Sequence, residues 1–303
     1  MTSAASCIRR AWLDLGGGLT LSLNDPASGY FCTELDLGWP EVREVKNNHP
    51  DRFGVDDTSS LFGGRVVSAN ISAIRGAGAS VDTVAASFGP FMMLSVRPML
   101  HYVLDRPGAP ERVIGPLRAV AYGWPIQDPE RRDIQLQWLA ADPVAHDPTV
   151  RTVAAWAGSS SQVGRTYNRT HDVSYGGGSG SGPRSVIIRS NGDIPIQPLL
   201  RIYGPCTMPW VQFNRASVEW WTVAFGSQFR IDAGQYVTVN TREHTAYMGD
   251  DPDATVIGSI SWSNMKWPVL PVRTDIIMSM SAAAGGATDV TQVQASWQDG
   301  YLS

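Results

Sequence analysis

The chain has 303 residues, of which 43% are hydrophobic and 17% charged, and its formal net charge is −4. This composition forms a core, is long enough for one large or two ordinary domains, and excludes an intrinsically disordered chain. The acidic balance argues against a tight nucleic-acid binder, which needs a basic face.

Thirty glycines, 20 prolines and 11 tryptophans point to β-structure with many turns. Ala11 to Leu15 reads as a strand, followed by the glycine turn Gly16-Gly17-Gly18. Leu19 to Leu23 alternates strictly and stops at Asn24-Asp25-Pro26. Tyr30 to Leu37 is a third strand, predicted to continue past Gly38-Trp39-Pro40 into Val42–Val45. Residues 46–64, rich in Asn, Asp and Gly, read as a long polar connection; loops of this length are usually functional or mobile. Arg65 to Arg75 returns to strand, with Val67, Ala69, Ile71 and Ala73 on one face. One short helix is predicted, with Ser80 as N-cap and Val81, Val84, Ala85 and Phe88 at i, i+3, i+4 and i+7. Gly89-Pro90 breaks or kinks it.

Met99–Leu104, Glu111–Arg118 and Asp133–Leu139 are predicted strands. Pro125 to Pro129 is predicted as a turn. Arg131-Arg132, between Glu130 and Asp133, reads as a mixed-charge strand edge, which discourages wrong pairing. Asp142-Pro143 and Asp147-Pro148 mark a domain boundary, giving domains 1–150 and 151–303. After a crossing strand at Val150–Trp156, Gly158–Gly164 and Gly176–Gly182 are Gly/Ser-rich and read as flexible loops. Asn191-Gly192 reads as a tight turn with φ > 0. The prolines near Leu199–Tyr203 point to a sheet edge or to the first residues of a strand, and the strand is read as an edge. From Ser185 to Trp297 short strands recur every 8–12 residues with turn signals between most of them, Val256–Trp262 among them. That is the pattern of a sandwich or jelly roll.

Chemistry is sparse. His49, His101, His146, His171 and His244 have no metal-ligand spacing, and neither a nucleophile elbow nor a phosphate-binding P-loop motif occurs. Gly176–Gly182 lacks the lysine of a phosphate cradle. Asp250, Asp251 and Asp253 lie in a segment that reads as a solvated turn, without the spacing of an EF-hand calcium loop. Cys7, Cys32 and Cys206 fit free thiols in a reducing compartment. Arg9-Arg10 is followed by Asp14 and by no apolar run, so the N-terminus reads as mature protein and not as a secretion signal. No stretch approaches the roughly 20 apolar residues that span a bilayer, so no membrane insertion is expected. The chain is read as a non-enzyme with no cofactor. Trp220 and Trp221 are the candidate contact residues. Being adjacent in a strand, one faces the core and the other is exposed or packed on a neighbour. Exposed tryptophans stack on sugars or anchor interfaces.

Several segments in order resemble the distal tail proteins of long-tailed, non-contractile phages, known in actinobacterial phages as minor tail proteins. They are Leu37–Glu44, Asp57 to Val67, Arg97–Tyr102, and Arg132–Trp138 with Asp142-Pro143 and Asp147. The later matches are Asn191–Pro209, Ile231–Gln235 and Trp297–Leu302, so nearly the whole chain is covered. The resemblance implies an all-β fold with one short helix: an N-terminal β-sandwich that forms a hexameric ring, and a C-terminal galectin-like β-sandwich outside it. It implies a virion protein at the tail tip, assembled in the bacterial host cytoplasm. Its expected partners are itself, the tail tube protein, the tape measure protein, the tail-tip hub, and fibre or receptor-binding proteins. No catalytic residues carry over. The Gly-Pro break after the helix and the Gly176–Gly182 loop depart from the family pattern. A weak hold on nucleic acid suits a ring through which DNA passes, since Lys and Arg drive phosphate binding and only Lys46 and Lys266 are lysines. The alternative is a carbohydrate-binding module that holds cell-wall glycan through Trp220 or Trp221. A glycosidase, which needs two convergent carboxylates, is a third reading.

Overall fold

Period-2 alternation of apolar residues builds nearly everything in the computed structural model, which describes residues 8–24, 29–48, 55–74, 81–127, 130–157, 184–215, 219–283 and 290–302. Two compact units result: Met1–Pro148 with Tyr301–Ser303, and Thr149–Gly300. The fold is all-β, as expected.

The first unit contains β1 (Ile8–Asp14), β2 (Thr20–Ser22), β3 (Tyr30–Asp36), β4 (Val42–Asn48), β5 (Val55–Phe62) and β6 (Arg65–Ile74). Helices α1 (Val81–Ser87) and α2 (Gly89–Met92) follow, then β7 (Met99–Leu104), β8 (Glu111–Ile114), β9 (Leu117–Gln127), β10 (Arg131–Ala140) and β11 (Ala145–His146). One sheet runs β2-β1-β7-β8-β11 and is completed by β23 (Gly300–Tyr301); the other runs β3-β6-β10-β9. On β10, Ile134, Leu136 and Trp138 turn inward while Gln135 and Gln137 stay exposed. They meet Val67, Ala69 and Ile71 of β6 and Leu13, Leu100 and Tyr102 of the other sheet in one core. Each large apolar side chain buried there contributes about 1.5–3 kcal/mol.

Arg65, almost wholly buried, donates to the Leu302 carbonyl, and the Arg112 guanidinium lies over the Tyr301 ring. These contacts tie the last residues to the first unit. Burial lowers the Arg65 pKa and raises that of Tyr102.

Several expectations are corrected. Within the stretch 46–64, residues 46–48 and 55–62 are strand and not loop: β4 and β5 pair antiparallel, with Val42 opposite Phe62 and Asn48 opposite Val55, and residues 49–54 lie outside the described residues. β3 ends at Asp36 instead of continuing to Val45, because Gly38 turns the chain at φ +63. Gly89-Pro90 does end α1, but a second turn starts at once, with Pro90 in the first turn of α2, where no N–H is needed. Pro125 lies inside β9 and not in a turn. β9 is the last strand of its sheet and its register slips at this point, which accommodates a residue without a ladder donor. Arg131-Arg132 is no sheet edge, since β10 is paired on both sides. Arg131 bonds Asp133, and Arg132 pairs with Asp82 of α1 at 2.6 Å.

The second unit holds β12 (Arg151–Trp156), β13 (Ser185–Arg189), β14 (Leu199–Tyr203), β15 (Cys206–Thr207), β16 (Trp210–Arg215), β17 (Glu219–Ala224) and β18 (Arg230–Ile231). It continues with β19 (Tyr236–Asn240), β20 (Thr245–Met248), β21 (Asp275–Ser281) and β22 (Gln292–Trp297). A five-stranded sheet, β12-β22-β14-β19-β20, and a four-stranded sheet, β13-β21-β16-β17, bury Leu200, Ile202, Phe213, Val237, Met278 and Val293 in a second core.

Here too the sequence misleads locally. β14 is the central strand of five, not an edge. Pro195 and Pro198 precede the strand and Pro205 follows it, so no ladder donor is missing. Asn191-Gly192 is not a positive-φ hairpin turn. Gly192 is required for a different reason: an added Cβ would overlap the Gly300 carbonyl oxygen. Val256–Trp262 is not a strand but an irregular run with two 3-10 turns, Ile257–Ser259 and Trp262–Asn264. Both Gly/Ser-rich loops, Gly158–Gly164 and Gly176–Gly182, lie outside the described residues, as do Ser80, His49, His171 and Cys7.

Candidate functional site

The predicted contact residues sit on β17, an edge strand of the four-stranded sheet. Trp220 is opposite Asn214 and Trp221 opposite Phe213. Trp221 packs half-buried against the second core. The Trp220 side chain lies outside the described residues. Lys266 bridges Thr222 and brings the next aromatic group alongside. Trp267 there stacks on His244 at 4.6 Å and meets exposed Trp262 edge-on at 6.4 Å. Trp297 is buried.

The described histidines serve structural contacts. His101 stacks on Trp12 and bonds Glu111 at 2.6 Å, with Asp14 at 3.9 Å. His146 bonds Asp142 at 2.9 Å. Among the described residues, no group of three or more His, Cys, Asp or Glu could hold a metal ion. Among the described residues no helix is long and apolar enough to cross a membrane.

Asp250 is more than a solvated turn residue. On the outward face of the five-stranded sheet it accepts bonds from the Tyr236 hydroxyl at 2.6 Å and from Arg201 at 2.7 Å. The Tyr236 bond and the Arg201 charge hold its carboxyl below the usual range, and the same bond raises the Tyr236 pKa. Tyr203 lies 5.3 Å from Tyr236 between ring centres and donates to Gln294. Residues two apart on one strand share a face, so Arg201 and Tyr203 stand together above β14. Only the pairing of β14 with β19 and β22 sets them beside Tyr236 and Gln294.

Two apolar features belong to the first unit. A cleft of about 700 Å3 opens between the helices and β9, lined by Phe88, Met92, Met93, Leu94, Val120 and Tyr122 among others. The Arg132–Asp82 ion pair stands in its wall. At the other end of the same sheet, just past β3, Trp39 is 78% exposed. Neither feature was foreseen as a contact. Met92-Met93-Leu94 beyond Gly-Pro and the aromatic of Gly38-Trp39-Pro40 were the available signals.

Taken together, these observations define a two-unit, all-β protein. No protein-family model and no curated protein matches the sequence. Solved structures do match. The Dit protein of SPP1, described as a paradigm of the hub adsorption apparatus in phages infecting Gram-positive hosts, superposes with a TM-score of 0.58 at 11% identity. That match covers 96% of this chain and 98% of the other. A chain of the phage P2 baseplate, in its activated conformation with Ca, aligns over 95% of this chain and 97% of its own. Its TM-score is 0.48 at 10% identity. A chain from the tail of an empty GTA particle of C6 symmetry covers 46% of this chain and 95% of its own, with a TM-score of 0.28 at 11% identity. The chain thus has the fold of the SPP1 Dit protein from end to end, as the resemblance in its motifs implies.

Proposed function

We propose that the chain is a structural phage-tail protein: a homohexameric adaptor ring at the distal end of a long non-contractile tail. In this reading the first unit builds the ring and the second, a galectin-like sandwich, lies outside it. The ring joins the tail tube protein and the end of the tape measure protein to the tail-tip hub and to fibre or receptor-binding proteins. It performs no catalysis. One observation carries the reading: the fold correspondence with a hub adsorption protein runs through both units and leaves almost no chain unmatched. The low charge and β-rich, apolar surfaces suit obligate association. Electron microscopy of the purified chain and of virion tail tips tests it, with six-fold rings expected in both. A chain that stays monomeric at high concentration and lacks density at the tail tip refutes it.

A second reading, glycan binding by the second unit, draws support from the Tyr203, Tyr236, Arg201, Asp250 and Gln294 face. Tyrosine rings offer flat apolar surface to sugar C–H groups, and the ionic and amide groups match hydroxyls. Calorimetric titration with purified host cell-wall polysaccharide tests it. Binding lost in Tyr236→Ala and kept in Trp262→Ala supports this face; no heat with the wild-type chain rejects it.

A further inference from the structure

Four buried polar atoms of the first unit find no hydrogen-bond partner among the described residues: Nε and Nη1 of Arg65, the Tyr102 hydroxyl and Nε1 of Trp138. The side chains that carry them are 1%, 0% and 0% exposed. All four atoms are donors. Native interiors rarely leave such groups empty; ordered water or an ion meets them.

The topology brings these donors to one end of the core. Arg65 opens β6 opposite Ala140, and Trp138 stands opposite Val67, so both side chains lie on the inner face of that sheet. In the other sheet Tyr102 of β7 pairs with Arg112 of β8. Residues directly opposite on a ladder share a face, and both are buried. The Tyr102 hydroxyl feels both guanidiniums, which oppose the rise in its pKa that burial imposes. The Tyr301 ring lies 3.4 Å from the Arg112 guanidinium carbon, and the Leu302 carbonyl accepts from Arg65 Nη2. The last described residues therefore border the same place.

Charge decides what fills it. Among the described residues neither Arg65 nor Arg112 forms an ion pair. Asp142 acts on Arg65 through its field, but its oxygens meet the Val144 N–H at 3.1 Å and His146 Nε2 at 2.9 Å. Two buried guanidiniums against one carboxylate leave a single positive charge, and an unpaired buried charge is costly. We infer that this end of the first core is a binding site for a small monovalent anion, chloride in ordinary solution, held by Arg65 and the Tyr102 hydroxyl with Arg112 as the second charge. Water would meet the donors and leave the charge unbalanced. Sulfate would bring two charges and more acceptor oxygens than there are donors to meet them.

Differential scanning calorimetry of the full-length chain tests the site, in chloride and in gluconate at equal ionic strength. Gluconate is too large to enter a closed core. At chloride about 100-fold above its Kd the first-unit transition should rise by about 5–10 °C, while the second-unit transition stays in place. Bromide should replace chloride, and a crystal grown in bromide should show an anomalous peak at Arg65. Arg65→Met should abolish the chloride response. If that variant does not fold, Tyr102→Phe carries the test: it keeps the ring, removes one donor and should weaken chloride binding about 5-fold in the titration midpoint. If wild type melts alike in both salts, or bromide leaves no peak at Arg65, the donors hold water only and the inference falls. A chloride response that the folded variants keep in full places the anion elsewhere and overturns it as well.

Discussion

Replacing Gly192 by alanine should cost the second unit several kcal/mol although the residue has no side chain of its own to pack. The added Cβ would overlap the Gly300 carbonyl oxygen and stand 2.7 Å from its amide nitrogen and 3.1 Å from its carbonyl carbon. Non-bonded heavy atoms settle near 3.5 Å, so one of the two segments must retreat by roughly 1 Å. That retreat breaks what holds them together. Asp193 N–H donates to the Gly300 carbonyl at 2.8 Å, and Ile194 N–H reaches the same oxygen at 3.4 Å. Asn191 N–H donates to the fully buried Asp299 carboxylate at 3.1 Å. Two backbone bonds at about 1 kcal/mol each, with a buried carboxylate left short of a donor at a further 1–3, give a loss of about 3–5 kcal/mol. For a unit of this size each kcal/mol lowers Tm by about 2–4 °C, so the second-unit transition should fall by roughly 10–15 °C. Differential scanning calorimetry reads this directly. Gly258→Ala is the control: its Cβ meets nothing within 4 Å, and the shift should stay within about 0.5 kcal/mol. A Gly192→Ala chain melting within 2 °C of wild type would refute the argument.

The first core should resent loss of Trp138, which is fully buried, by about 3–5 kcal/mol on substitution with alanine. Trp39→Ala should leave the monomer's urea midpoint unchanged, so the pair separates a core tryptophan from a surface one. Cys32 and Cys206 should resist iodoacetamide at pH 8 in the native chain and react after denaturation, because burial pushes both thiols up to about 11; Cys7→Ser removes the third thiol from the assay, and rapid native labelling would refute the prediction. Asp250 contributes stability that is present above the unfolded carboxyl value of about 4 and is lost as pH falls through its lower folded value. Asp250→Asn should therefore flatten the acid limb of stability measured by urea unfolding, and an unchanged limb would show that the Tyr236 and Arg201 bonds do not favour the charged form.

Strand identity was legible where one face of a strand meets a core. The alternation of Ile134, Leu136 and Trp138 against Gln135 and Gln137 is the β10 burial pattern itself. The same holds for Val67, Ala69, Ile71 and Ala73 on β6. Order within the sheets was not legible, because local sequence does not encode which strands become neighbours. β14 shows the consequence. Its flanking prolines suggested an edge, yet each lies outside the five residues that need donors, and the strand sits at the sheet's centre. The 46–64 stretch failed in the other direction. Asn, Asp and Gly suggested a loop, while cross-strand pairing made a seven-residue strand, Val42–Asn48, and an eight-residue one, Val55–Phe62. Composition reports average preference, and pairing overrides it.

The contact surfaces mark a sharper boundary. Adjacent tryptophans in an apolar strand, Trp220-Trp221, looked like the place where the chain meets something else. Trp221 packs half-buried on its own core, and the Trp220 side chain lies outside the described residues. Trp39, between Gly38 and Pro40, is 78% exposed. What separates Trp221 from Trp39 is what the backbone around each is forced to do. β17 follows a sheet, so at least one of two neighbouring side chains must enter the core. Gly38 and Pro40 leave the sheet, and with Asp36 capping the Gly38 N–H the residue between them is turned outward. An aromatic between a positive-φ glycine and a buried proline has nowhere within its own fold to go. Such a residue raises the question of a partner more directly than an aromatic in a strand does.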